Sequence, residues 1–295
     1  LMAVAPGNGA IILLVMGFWL TVALAAPYQV RLWGQIYPPA AQGRLVGAVG
    51  TARAATSAIG ALVGGALADR IGGLEVVALG GLAGIVIANL AWGFVVPRGD
   101  SGAAYDLRRS MRALLGSPRL RRATIAQMCL GGGFIIAAPL YPFVQVDRLA
   151  LSLAEVGVLG ILVSGATTLA SIPWGSRIDR AGGLRVFQLG SLFGVVALAL
   201  YAWAPGYLAL CGAAVATGIC NASVEVGTQA VISEHVATGD RAAAMAGWSA
   251  VNGLRGLVFP FVGTTLVALG VVDVSGGIAL GACLTLVGAL LYRSA

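Results

Sequence analysis

Nine stretches of this 295-residue chain stay apolar for about 20 residues or more. That is the length a helix needs to cross a hydrocarbon layer roughly 30 Å thick. The runs cover residues 9–33, 45–68, 74–96, 123–145, 153–175, 185–204, 206–232, 242–269 and 272–292. They are continuously apolar and do not alternate, which favours helices over the strands of a barrel. Composition agrees: 59% of residues are hydrophobic, 10% are charged and the mean hydropathy is +0.93. An ordinary soluble domain carries about 25% charged residues. Eighteen basic and 11 acidic side chains cannot coat a globule of this size. A soluble enzyme, a disordered chain and a disulfide-stapled secreted domain are excluded. The expected fold is an all-α membrane protein with about nine transmembrane helices.

Charge sets the expected orientation. All 18 basic residues are Arg, and seven of them (Arg98, Arg108, Arg109, Arg112, Arg119, Arg121, Arg122) fall in the polar segment 97–122. The positive-inside rule makes this segment a cytoplasmic loop. The loops at Arg177–Arg185 and Glu234–Arg241 then also face inward, while those near Asp69–Glu75, Asp147–Glu155 and Asp273 face outward. Asp106 to Leu115 is expected to form a short helix on the membrane surface. The net charge of +7 does not point to nucleic acid, because the Arg residues cluster in loops between spans. Cys129, Cys211, Cys220 and Cys283 lie inside apolar runs without metal-ligand spacing and read as packed thiols. His235 is the one histidine, so neither a His-based metal site nor a catalytic triad is expected. Residue 1 is Leu, which fits a truncated N-terminus or a non-standard start codon.

The sequence repeats itself. Ala68-Asp-Arg-Ile-Gly-Gly-Leu74 returns 110 residues later as Ile178-Asp-Arg-Ala-Gly-Gly-Leu184. At a second offset, Leu1-Met-Ala-Val-Ala-Pro-Gly7 resembles Leu200-Tyr-Ala-Trp-Ala-Pro-Gly206, and Gln42-Gly-Arg44 approaches Thr238-Gly-Asp-Arg241. Residues 1–96 therefore echo 200–292, as expected of a three-helix unit used three times. Such units are the sequence trace of one transporter architecture. The two copies Gly65-Ala-Leu-Ala-Asp69-Arg70-Ile-Gly72 and Gly175-Ser-Arg-Ile-Asp179-Arg180-Ala-Gly182 resemble the G-x-x-x-D-R-x-G loop signature of the major facilitator superfamily. Glu234-x6-Arg241 is similar to the acidic/Arg pair often found after that family's tenth helix, and Tyr37-Pro-Pro-x-x-x-Gly-Arg44 to the loop after its fourth.

The resemblance covers essentially the whole chain and implies a twelve-helix bundle. Nine runs would correspond to helices 4–12. Residues 1–96 would be the remainder of the N-terminal half, 97–122 the interhalf loop and 123–295 the six-helix C-terminal half. The stronger signature, at Gly65–Gly72, fits the family's inner loop better if 9–96 are helices 1–3; the seven Arg favour helices 4–6. The resemblance also implies a cytoplasmic gate in which Asp179, Arg180 and Arg185 form a charge network with Glu234 and Arg241, around turns allowed by Gly175 and Gly182. The plain alternative is positive-inside anchoring with a glycine turn.

A charge inside a membrane span suggests function, because burying it is costly. Arg31 and Arg53 lie close enough to the inner surface to snorkel. Glu225 and Arg255 lie deeper, on consecutive antiparallel spans. They are candidates for an ion pair, with Arg31 as the alternative partner of Glu225. Thr217, Asn221, Glu225, Thr228 and Gln229 make one polar helical face. Trp248, Asn252 and Arg255 make a similar face on the next span, and Tyr28, Arg31 and Gln35 on the first. Gln127, Phe134, Tyr141 and Gln145 do so more weakly on the fourth. These faces either line a cavity or glue the bundle by hydrogen bonds. In the family, helices 1, 4, 7 and 10 line the pathway, which would include the first, fourth and seventh runs here.

The expected function is secondary active transport of a small solute by alternating access. Tyr28, Arg31, Asn221, Glu225, Gln229, Asn252 and Arg255 are the candidates for substrate contact or coupling. Three embedded Arg against one Glu tilt the substrate toward an anionic or polar solute, with a proton as candidate coupling ion and a hydrophobic-drug exporter as an alternative. A truncated, receptor-like or inactive membrane protein is the other reading. No enzyme chemistry, cofactor or metal is expected, and no G-x-x-x-x-G-K-[ST] loop is present for ATP. The expected partners are the lipid bilayer and a small-molecule substrate. The expected state is a multi-pass monomer in a bacterial plasma membrane.

Overall fold

The computed structural model of the protein describes residues 106–293, together with positions 59, 60 and 63. Tyr28, Arg31, Arg53, the Gly65–Gly72 motif and the runs before residue 97, Ile59, Gly60 and Val63 apart, lie outside the described residues. Six of the described helices are long and apolar enough to cross a membrane.

A short amphipathic helix, α1 (Leu107–Leu115), comes first. It starts at a side-chain cap: the Asp106 carboxylate accepts from the amides of Arg108 (2.9 Å) and Arg109 (3.2 Å). Helix α2 (Pro118–Ala137) follows after two residues, with Ser117 as N-cap and proline at its first position. The expected cytoplasmic loop to Arg122 thus ends at Ser117, and Arg119, Arg121 and Arg122 lie on the first turns of a span. Long Arg stems can cover apolar surface there while the guanidinium stays wet. Pro139 and Pro142 each remove an amide donor, and past Ala137 the α-ladder is lost. A 3-10 turn at Ala138–Leu140 and a π-helical stretch at Phe143–Arg148 replace it.

Helix α3 (Leu153–Ala181) opens with a capping box. Ser152 Oγ accepts from the Glu155 amide (3.2 Å), and Glu155 Oε2 accepts from the Ser152 amide (2.8 Å). Then come α4 (Gly183–Ala202), α5 (Tyr207–His235), α6 (Arg241–Ala268) and α7 (Val274–Arg293). At about 1.5 Å per residue, α3 and α5 are each about 43 Å long, well beyond the hydrocarbon layer. For that reason Gly175, Arg177, Asp179 and Arg180 sit on helix α3, although the sequence suggested a loop from Arg177. The turn itself is the single residue Gly182, at φ +79°.

Helix α5 packs between α3 and α4, α7 between α4 and α2, and α6 against α2 and α1. Lipid tails give no hydrophobic drive for helix pairing, so close backbone approach does that job. A Cβ on Gly133 would overlap the Gly281 carbonyl, and one on Gly281 would sit 2.5 Å from the Gly133 carbonyl. Gly190 and Gly194, a G-x-x-x-G pair, receive Ser223, Phe134 and Cys220. Two large apolar cores result, with a smaller one around Trp174, Val186 and Ala222. One, toward the Arg-rich end, holds Leu114, Leu120, Phe187, Trp248 and Tyr292; the other holds Leu140, Leu159, Tyr201, Leu210 and Ile278.

Candidate functional site

Helix α5 carries the polar face that the sequence suggested, in two parts. Thr217 and Thr228 return their hydroxyls to their own helix, donating to Ala213 O (2.8 Å) and Val224 O (2.7 Å). Asn221, Glu225 and Gln229 form a straight i, i+4, i+8 row, and all three are exposed. The opposite side of the helix is closed against its neighbours. Gly218 abuts the backbone of α3 at Val163 and Thr167, and buried Ser223 fills the notch at Gly190 of α4. Glu225, the acidic side chain deep in α5, therefore sits in an exposed row on the side away from α3 and α4.

Helix α6 differs. Trp248 is buried and stacks on Phe187, ring centroids 6.1 Å apart, and Phe187 stacks in turn on Tyr292 at 5.1 Å. Arg255 points to α2, where its Nη1 donates to the Gln127 carbonyl (3.0 Å). Its guanidinium fills the space that a side chain on Gly131 would take, and Phe259 does the same at Gly132. The Arg255 Nε is buried without a partner. The ion pair with Glu225 suggested by helix adjacency is not how Arg255 is held. The reason is packing: α6 lies chiefly on α2 and α1, so its polar face turns away from its sequence neighbour α5. Asn252, one turn before Arg255, is half-buried.

The weaker face on α2 is interior. Gln127 Oε1 accepts from the Tyr292 hydroxyl (2.8 Å), both residues being buried. Phe134 lies in the notch at Gly194. Tyr141 stacks on Tyr201 at 4.0 Å, and Gln145 Nε2 donates to the Tyr201 hydroxyl (2.9 Å). These contacts are the interhelical glue that polar groups form in a membrane bundle.

At the Arg-rich end, the residues after the second signature copy close by backbone contacts. Glu234 accepts from the Gly183 amide at the start of α4 (3.1 Å), where a helix N-terminus favours an anion. The neighbouring His235 lies 3.9 Å away, with its Nδ1 also 3.0 Å from Val231 O. Arg241 folds back over the end of α5, donating from Nη2 to Ser233 O (2.8 Å) and from Nε to Val236 O (3.2 Å). Among the described residues, Asp179, Arg180 and Arg185 form no ion pair with Glu234 or Arg241. Glu234 and Arg241 instead each contact backbone groups at a helix end. Gly175 makes no tight turn: a Cβ there would meet nothing within 4 Å.

Two ties were invisible in the sequence. Arg109 of α1 grips Asp240, just before α6, from Nη2 (2.8 Å) and Nε (3.2 Å). Beside it, a Cβ on Gly247 would meet the Ser110 carbonyl at 2.7 Å, so α1 is seated on α6. At the opposite end, Arg148 donates to Tyr201 O (3.1 Å), Ala202 O (3.2 Å) and Ser275 Oγ (3.0 Å), binding α4 to α7. Residues 131 and 127 positions apart make these contacts, and no local pattern announces them.

No curated protein matches the chain. The model of the Major Facilitator Superfamily matches residues 123–295, more than half of the chain's length, and overlaps the six membrane-crossing helices found among the described residues. A signature of paired G-x-x-x-D-R-x-G motifs, six apolar helices and a family match over them lead to one conclusion: this is an integral multi-pass membrane transporter, not an enzyme, and it belongs to the Major Facilitator Superfamily.

Proposed function

We infer that the protein is a secondary active transporter that moves a small solute by alternating access, with the exposed row Asn221, Glu225 and Gln229 on α5 facing the solute path. The observation that carries this reading is the exposure of a carboxylate in the middle of a long apolar span. A charge at that depth must face water or protein, never lipid tails. Glu225 is the coupling group: a carboxylate is the side chain here that can take up and release a proton, and Asn221 and Gln229 supply hydrogen bonds on either side of it. Arg31 and Tyr28 remain candidates for the opposing wall, with a proton as coupling ion.

The caps at the Arg-rich end serve the conformational change. Glu234 on the Gly183 amide ties α5 to the α3–α4 turn, and Arg109 on Asp240 ties α1 to α6. The exposed Arg109–Asp240 pair is worth about 0–1 kcal/mol, weak enough to be remade between two states of similar energy. In this reading Asp179, Arg180 and Arg185 find their charge partners in the other state. The direct test is Glu225→Gln in proteoliposomes with an imposed pH gradient. Gradient-driven uptake is expected to fall by at least about tenfold, equivalent to ~1.4 kcal/mol. Unchanged gradient-driven uptake overturns the role given to Glu225.

A further inference from the structure

Arg255 poses a separate problem. It sits 14 residues into α6 from Arg241, about 21 Å along the helix axis. A guanidinium has five N–H donors and never loses its charge in a protein. Among the described residues one acceptor meets it, the Gln127 carbonyl at Nη1, and no carboxylate pairs with it. The Gln127 side chain is engaged elsewhere, its Oε1 accepting from the Tyr292 hydroxyl. The cation is nevertheless positioned. The guanidinium occupies the room left by the missing side chain of Gly131, and Phe259 on the next turn fits against Gly132.

With Nη1 on the Gln127 carbonyl, the edge formed by Nε and Nη2 is left over, and Nε has no partner. Two N–H groups on that edge match the two oxygens of a carboxylate. Asn252, a turn earlier, is half-buried, and Val258, a turn later, is 51% exposed. An amide and an apolar side chain thus flank the cation on its own helix. A lipid phosphate is a poor fit for a group this deep, since headgroups lie outside the hydrocarbon layer.

We propose that Arg255, assisted by Asn252, is the recognition point for the carboxylate of the solute, and that the substrates are small organic monocarboxylates with an apolar body. The proposal rests on the transport reading above and names its substrate class. The solute carboxylate supplies the missing counter-charge, accepting from Nε and Nη2, in a state of the cycle that opens this edge.

The test is thermal unfolding of the purified full chain in detergent, titrated with acetate, lactate, benzoate and salicylate, each against its size-matched amide, and with chloride and inorganic phosphate. At least one carboxylate is expected to raise Tm saturably while its amide does not. Arg255→Lys, which keeps the charge but loses the fork, is expected to weaken that carboxylate by about tenfold. Arg255→Gln and Asn252→Ala test the same point, and Gly131→Ala displaces the guanidinium without removing it. Saturable shifts by amides as well as acids, by inorganic anions only, by no member of the series, or persisting at unchanged midpoint in Arg255→Lys and Gly131→Ala would each overturn the proposal. A carboxylate-specific shift with no uptake in proteoliposomes supports the site and rejects the transport reading. Uptake of neutral solutes alone does the reverse.

Discussion

Helices α5 and α6 are near twins in sequence. Each is 28 or 29 residues long, each carries a single charge deep in an apolar span, and each has a polar stripe at helical spacing. In the fold they behave differently. The α5 stripe narrows to Asn221, Glu225 and Gln229, exposed in a row, while the helix is welded to α3 and α4 by Gly218 and Ser223 on its other side. The α6 stripe turns inward, with Trp248 stacked on Phe187 and Arg255 held on the backbone of α2. Periodicity therefore identifies a polar face but not what that face meets. Neighbour choice, set by where the glycines allow close approach, decides which stripe stays exposed and which turns against a neighbouring helix.

This contrast can be broken at several points. The largest stability effect is expected where α6 is seated on α2. Gly263 leaves no room for a Cβ against the Ile136 carbonyl, so Gly263→Val should destabilise the protein by about 1–3 kcal/mol. Chemical or thermal denaturation in detergent reads this directly, and a neutral result means that the α2–α6 seam is looser than described. Next is the buried Tyr292–Gln127 bond. Tyr292→Phe leaves the Gln127 Oε1 unsatisfied and should cost about 1–3 kcal/mol by the same assay. On α5 the pattern should invert: Gln229→Ala, on the exposed row, should move stability by less than about 0.5 kcal/mol while impairing uptake. The smallest effect belongs to Arg109→Ala. With its side chain 64% exposed and Asp240 47% exposed, that pair should contribute about 0–1 kcal/mol and fade as salt rises.

Much of this fold was legible beforehand, because lipid imposes strict rules on sequence. The six spans after residue 97, the short helix near Asp106–Leu115 and the glycine turn at Gly182 follow from apolar run length, the polar interruption between runs and backbone freedom. The boundaries that misled have identifiable causes. Arg119, Arg121 and Arg122 looked like loop residues because they are charged, yet Ser117 and Pro118 start a helix beneath them. Likewise, the Asp179-Arg180 motif looked like a loop although α3 runs on to Ala181. The split of the two polar stripes was not legible. It depends on contacts such as Gly131 with Arg255 and Gln127 with Tyr292, which join residues more than 100 positions apart. The end caps at Glu234 and Arg241 show the same limit: the sequence named the residues, but a carboxylate can meet an amide as readily as an Arg.

The central claim is that the α5 row meets water while the matched interior positions do not. Single cysteines at Asn221, Gln229, Gln127 and Trp248, in a background with Cys129, Cys211, Cys220 and Cys283 replaced by Ala, can be timed for reaction with a small water-soluble maleimide. The account expects Asn221→Cys and Gln229→Cys to react readily, and Gln127→Cys and Trp248→Cys to stay unmodified until the protein unfolds. Equal rates at all four positions, or faster reaction at the Gln127 and Trp248 sites, would contradict it.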